Sequence, residues 1–83
     1  MEFSLSKHAV ERLEARGIAE ETVSLVIKEP STIISETECK DVYQKVIKEG
    51  NLKYLYRVFV NICRTPKLVI TAYKTSKVEK YEH

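Results

Sequence analysis

The chain has 83 residues, of which 43% are hydrophobic and 31% charged. This length predicts a single domain over residues 1–83, with a core within about 6–75 and a tail at 76–83 that frays. The composition excludes a disordered or collagen-like protein. Because no apolar run reaches the length of a membrane span or a signal peptide, we expect a cytoplasmic protein without membrane contact.

The charge is unevenly distributed along the chain. Residues 1–41 contain five Lys/Arg and nine Asp/Glu, which gives −4, whereas residues 42–83 contain nine and three, which gives +6. A basic half indicates a polyanion or an acidic protein as the partner.

Two helices are predicted in the first third of the chain. Ser6 is a suitable N-cap and Gly17 a suitable C-terminal residue for a helix over 7–16. A second helix follows, starting near Glu20 and ending before Pro30. Ala9, Val10 and Leu13 recur at helical spacing in the first helix. The residues expected to bury against the sheet are Leu13, Val23, Val26 and Ile27.

After Pro30 the apolar period changes to two, which predicts strands over 31–37, 42–48, 52–62 and 68–74. Gly50-Asn51 is suited to a two-residue turn of type II′. In the third strand the residues expected to face the helices are Tyr54, Tyr56, Val58, Val60 and Ile62. In the last strand, Leu68, Ile70 and Ala72 are expected on one face, and Val69, Thr71 and Tyr73 on the other. We therefore expect an α+β fold, with two N-terminal helices packed on one face of a three- to four-stranded antiparallel sheet.

One row of side chains on the first helix could form a binding or catalytic site. His8, Arg12 and Arg16 follow one another at intervals of four, so they line one side of the first helix. A group that titrates near neutrality beside two permanent cations can hold a phosphate and move a proton. The alternative is a solvated face whose arginines pair with nearby glutamates: Glu11, Glu14, Glu20 or Glu21.

Arg57 is the only charged residue between Tyr54 and Cys63. It could bind phosphate on the open face of the sheet, where Thr71 and Tyr73 could also point, or it could lay its stem over Phe59. Tyrosines among lysines can stack on bases beside a basic surface. The stacking candidates are Tyr73 and Tyr81, and Lys74 is a further substrate-binding candidate.

Two cysteines, Cys39 and Cys63, cannot alone fill a four-ligand zinc site. With a two-residue hairpin turn Cys39 would lie opposite Ile62, and with a three-residue turn opposite Cys63, so the sequence leaves their pairing open. Reduced thiols are expected in a cytoplasmic protein, and so is a fold that reductant leaves intact. No cofactor motif is present, and we expect no cofactor and no metal.

Several segments resemble a family. SKHAVERLEARGIAEETVSLVIKEP is similar to the start of a small bacterial and archaeal domain family of unknown function, with its His-Ala-x-x-Arg helix. LYRVFVNI and KLVITAYKT resemble the two closing strands of that family, including a Thr-x-Tyr. The resemblance extends to the RelE-like toxins and the fold of barnase-type and RelE-type ribonucleases. It implies metal-independent RNA cleavage, neutralisation by an antitoxin, and site residues His8, Arg12, Arg16, Arg57, Thr71 and Tyr73.

The leading hypothesis is an RNA-directed, RelE-like domain, with activity as an endoribonuclease on free or ribosome-bound mRNA. The alternative is a non-catalytic module of the same fold that binds protein or RNA. In the first case a ribose 2′-OH attacks the adjacent phosphate. The catalytic candidates are His8, Arg57 and Tyr73, and the substrate-binding candidates are Arg12, Arg16, Thr71, Lys74 and Tyr81.

Overall fold

The structure is a computed structural model and describes residues 2–78. This part of the chain contains two helices and five strands. In chain order they are β1 (Phe3–Leu5), α1 (Lys7–Arg16), α2 (Glu20–Lys28), β2 (Thr32–Ser35), β3 (Lys40–Glu49), β4 (Leu52–Asn61) and β5 (Lys67–Thr75). The predicted bounds of the first helix agree with α1.

The ends of α1 follow from two residues. The Ser6 side chain accepts a hydrogen bond from the Ala9 N–H at 3.0 Å, which satisfies one of the free donors of the first turn. Gly17 has a φ of 63°, the left-handed conformation that only glycine adopts without strain, and it ends the helix. Ser6 also fixes the start of α1 to β5, because its N–H donates to the Val69 carbonyl at 3.1 Å.

The strands form one sheet in the order β1-β5-β4-β3-β2. All neighbours are antiparallel except β1 and β5, which run parallel. The prediction of three or four antiparallel strands was therefore wrong in strand number and in the direction of one pair. A strand of three residues has too little alternation to be recognised in the sequence, and its partner lies more than sixty residues further along the chain.

The β3–β4 hairpin confirms the predicted two-residue turn. Glu49 pairs with Leu52, and of the two turn residues only Gly50 has a positive φ, 64°, as a type II′ turn requires at its first position. The short turn fixes the register of the whole hairpin, up to the pair of Lys40 with Asn61.

The core combines both helices with alternate residues of the strands. Ala9 and Leu13 of α1 and Val23, Val26 and Ile27 of α2 are buried in one cluster with Tyr56, Val58 and Val60 of β4, and the partly buried Tyr54 and Ile62 pack against it. The predicted inward positions of this strand are therefore confirmed. Val10, by contrast, is 41% exposed. No helix within residues 2–78 is long and apolar enough to cross a membrane.

A β-bulge changes the faces of β5. Val60 pairs with Val69, but Phe59 pairs with Thr71, so Ile70 is an extra residue in β5. Val69 and Ala72 are both in the core cluster, although strict alternation had put them on opposite faces. The prediction was wrong here because it assumed unbroken alternation. The bulge leaves Tyr73 opposite Arg57.

Cys39 and Cys63 form a disulfide, with their Cα atoms 5.1 Å apart. The expectation of two reduced thiols is thus corrected. The Ile62 N–H donates to the Cys39 carbonyl at 2.8 Å, so Ile62 lies opposite Cys39, as the two-residue turn requires, and Cys63 is the next residue along. The bond connects the start of β3 to the β4–β5 connection.

Candidate functional site

A row of three polar side chains crosses the middle of the sheet. Gln44 of β3 pairs with Arg57 of β4, which pairs with Tyr73 of β5. Paired residues in neighbouring strands point to the same face, and this face is the one opposite the core positions of β4. The Arg57 Nε donates to Gln44 Oε1 at 2.6 Å, and its Nη1 donates to the Tyr73 hydroxyl at 2.7 Å.

Two aromatic rings flank the same guanidinium group. The Cζ of Arg57 lies 5.4 Å from the centre of the Phe59 ring and 5.7 Å from that of Tyr73. The two rings meet edge to face, with their centres 5.9 Å apart. Cation–π contacts and hydrogen bonds with these described residues thus position the Arg57 charge on this face. We call the face of the sheet opposite the core its second face. The second-face cluster comprises these residues on it: Gln44, Arg57, Phe59, Thr71 and Tyr73.

The chemistry available in this cluster is anion recognition. A guanidinium group is a permanent cation with a planar set of donors. The Tyr73 hydroxyl accepts from Arg57, so its own proton is directed elsewhere and can be donated to a ligand oxygen. Gln44 is only 3% exposed, and its side-chain oxygen accepts a hydrogen bond from Arg57, its partner in the neighbouring strand.

The α1 row reaches this cluster at the edge of the sheet. Arg16 donates through Nη1 to the Ala72 carbonyl at 2.7 Å and to Thr71 Oγ1 at 3.2 Å. This is possible because β1 pairs only with residues 67–69, which leaves the rest of that β5 edge uncovered in the described part of the chain. Arg16 therefore places a second cation beside Thr71.

His8 and Arg12 continue the row along α1. The Arg12 Nε donates to His8 Nε2 at 3.4 Å, and both side chains are exposed. Within residues 2–78 neither Arg12 nor Arg16 forms an ion pair with a glutamate. The described contacts therefore do not support the alternative interpretation, in which nearby glutamates pair with these arginines.

Lys74 lies in a different group of residues. Its Nζ is 3.1 Å from Glu49 Oε1 and lies over the rings of Tyr54, at 4.6 Å, and Tyr56, at 5.7 Å. Because it follows Tyr73 directly in β5 and pairs with the core residue Tyr56, it points away from the second-face cluster.

Hydrogen bonding in this group shifts three pKa values. The Tyr56 hydroxyl donates to Glu49, and this bond, with the bond from Lys74, lowers the pKa of the Glu49 carboxyl. Burial and the bond to Glu49 raise the pKa of Tyr56. The pKa of Lys74 is raised, chiefly by its hydrogen bond to Glu49. A lowered pKa for Glu49 and a raised pKa for Lys74 both favour the charged forms, which is consistent with the ion pair between them.

The structure brings together four of the residues singled out from the sequence: Arg16, Arg57, Thr71 and Tyr73. His8 and Arg12 adjoin them along α1, Lys74 does not, and Tyr81 lies outside the described residues. Sequence reasoning missed Gln44 as part of the site. The one available signal was a neutral amide inside a strand that is otherwise apolar or charged, and its meaning depends on a register that only the folded sheet reveals.

Residues 2–78 contain no group of three or more His, Cys, Asp or Glu side chains that could hold a metal ion. The site is built from cations, hydroxyl groups and aromatic rings, and these are ligands for anions and bases.

Comparisons with known proteins identify a family. The model of a family described as "Domain of unknown function (DUF4258)" matches residues 5–74. This match includes both helices, β2, β3, β4 and the second-face cluster. No curated protein and no solved structure gives a significant match.

Proposed function

The chain belongs to the DUF4258 family, and we propose that it binds single-stranded RNA with the second-face cluster and the adjoining row His8, Arg12 and Arg16 of α1. The observation that carries the proposal is the Arg57 guanidinium, which donates to Gln44 and Tyr73 and lies beside the rings of Phe59 and Tyr73.

Charge is the first argument for a nucleic acid. Arg16 and Arg57 both contact β5, through Thr71 in one case and Tyr73 in the other. These partners are two residues apart in one strand, which is about 7 Å. Two cations at this spacing can contact a single phosphodiester or two consecutive ones.

Aromatic surface is the second argument, and it favours an unpaired strand. Phe59 and Tyr73 are partly exposed on the same face as the cations. Bases can stack on such rings only when they are not stacked and paired within a duplex, and single-stranded RNA offers them in that form.

The test is fluorescence anisotropy with a labelled single-stranded RNA, titrated with wild-type protein and with Arg57→Gln at several salt concentrations. We expect the variant to bind at least roughly tenfold more weakly and to show a salt dependence flatter by about one phosphate contact. Arg64→Gln is the matched control, because it makes the same change at an exposed position in the β4–β5 connection.

Arg57 also has structural partners, so folding must be checked by circular dichroism at the binding temperature. Phe59→Leu separates the two contributions, since it keeps an apolar side chain and removes the ring. We expect weaker binding with an unchanged salt slope. Equal affinity for Arg57→Gln, Arg64→Gln and the wild type would refute the proposed site.

Strand cleavage is the second candidate, and the observation that favours it is His8 Nε2 accepting a hydrogen bond from Arg12. A histidine nitrogen that accepts can take the proton of a ribose 2′-OH. The 2′-oxygen would form a bond to phosphorus, the bond from phosphorus to the 5′-oxygen would break, and Tyr73 would protonate that leaving oxygen. This is the activity of a RelE-like ribonuclease toxin, whose partner would be an antitoxin.

Incubation of the RNA with excess protein tests this second candidate. The expected products end in a 2′,3′-cyclic phosphate, and His8→Ala and Tyr73→Phe should each slow cleavage more than they weaken binding. RNA that stays intact at saturating protein, while anisotropy reports binding, would assign the domain to the non-catalytic class.

A further inference from the structure

Strand β2 forms one outer edge of the sheet. It pairs with β3 alone, from Thr32 opposite Gln44 to Ser35 opposite Asp41. The Glu36 N–H donates to the Lys40 carbonyl and continues this register. Since alternate residues of an antiparallel strand bond to the same neighbour, the backbone groups of Ile33 and Ser35 point away from β3.

The side chains of β2 are not of the kind that usually protects an edge strand. All four are exposed, including Ile33 at 49% and Ile34 at 37%. Successive residues point to opposite faces, so each face of the sheet carries one exposed isoleucine at this border. Edge strands are usually protected by a charged residue, a proline or a bulge, and Thr32–Ser35 contains none of these.

We propose that two copies of this chain associate through antiparallel pairing of their β2 strands about a twofold axis. A second copy fits better than a different protein because the edge is neutral and complementary to itself. When Ile33 of one copy bonds to Ser35 of the other, the two Ile34 side chains face each other at the axis. The outward N–H and C=O groups of Ile33 and Ser35 are then hydrogen-bonded in both copies.

The pairing would join two sheets into one. A twofold axis perpendicular to the sheet keeps the same face of both copies on the same side. The two second-face clusters would therefore share one surface, independently of what they bind. A strand of four residues buries less than the roughly 800 Å² per partner of a standard interface. The dimer is accordingly weak and depends on protein concentration.

Sedimentation velocity from about 10 µM to about 1 mM tests the proposal. The wild type should shift from monomer to dimer across this range. Ile33→Lys/Ile34→Lys should weaken association by roughly tenfold or more. Ser35→Pro should do the same by removing an outward N–H while leaving the bonds to β3 in place.

Leu52→Lys is the matched control, because Leu52 is 56% exposed at the β3–β4 hairpin and its change removes apolar surface elsewhere. It should dimerise like the wild type, and circular dichroism should show that every variant is folded. A wild type that is monomeric at about 1 mM overturns the proposal. So does a dimer that Ser35→Pro leaves unchanged, since such a dimer would not use the edge of β2.

Discussion

The contacts of Arg16 distinguish it from Arg12, although both are exposed arginines in one row of α1. Replacing Arg16 by Ala removes a bond of 2.7 Å to the Ala72 carbonyl and one of 3.2 Å to Thr71 Oγ1. Replacing Arg12 by Ala removes only the bond of 3.4 Å to His8. The two substitutions are therefore matched in charge and helix propensity and differ in their contacts with the sheet.

The expected loss follows from these bonds. A buried hydrogen bond from a charged donor contributes about 1.5–3 kcal/mol, and water competes at an exposed site, so about 1 kcal/mol is expected for Arg16→Ala. In a domain of this size such a loss lowers the melting temperature by roughly 4–8 °C. For Arg12→Ala the change in unfolding free energy should stay below about 0.5 kcal/mol.

Urea unfolding measures the stability of the two variants. RNA titrations at several salt concentrations measure how much each arginine contributes to binding. Both variants should flatten the salt dependence by about 0.7 in log–log slope, because each removes one cation from the proposed RNA-binding surface. Arg16→Lys should recover part of the stability, since a lysine can still donate to the Ala72 carbonyl. Equal stability of Arg16→Ala and Arg12→Ala would show that Arg16 is not bound to β5 in solution.

Three further predictions concern the fold. Leu13→Ala should cost roughly 2–5 kcal/mol in urea unfolding, whereas Val10→Ala on the same helix should change it by less than about 0.5 kcal/mol, and similar losses would contradict the assigned core. Glu49 has a lowered pKa, so its stabilising contribution is complete above pH 4.5 and is lost as the pH falls through the lower folded value. Glu49→Gln should therefore lose less stability than the wild type between pH 7 and about pH 3, and identical pH profiles would exclude this contribution. Reduction of Cys39–Cys63, which closes a loop with a sequence separation of 24, should lower the unfolding free energy by roughly 3 kcal/mol, and a melting temperature unaffected by reductant would contradict it.

The sequence predicted those elements whose signals are local. Ser6 and Gly17 mark the ends of α1 by their own backbone chemistry, and the long alternation of β4 identifies its buried face without knowledge of its neighbours. Strand β1 and the bulge at Ile70 could not be found in this way. Both depend on pairing between segments that are distant in sequence. A single inserted residue moves every later side chain of the strand to the opposite face of the sheet.

The same reasoning applies to the site. Arg57 and Tyr73 were both identified from the sequence, because each is a chemically distinctive residue in an apolar strand. Their direct contact depends on the bulge: with unbroken alternation from the pair Val60–Val69, Arg57 would lie opposite Ala72. Gln44 carries no distinctive chemistry of its own, and it becomes part of the site only through its register with Arg57.

Binding and cleavage of RNA make different demands on this arrangement. Binding requires only that cations and rings share one surface, and Arg16 and Arg57 meet this condition through two residues of β5 that are two positions apart. Cleavage requires in addition that a base and an acid lie within about 3 Å of the protons they move at a single phosphate. His8 is eight residues from Arg16, or about 12 Å along the axis of α1, whereas Tyr73 lies at the Arg16 end. Among the described residues no contact joins His8 to Tyr73. A phosphate held by Arg57 and Tyr73 would therefore lie closer to Arg16 than to His8, and this distance favours binding over cleavage.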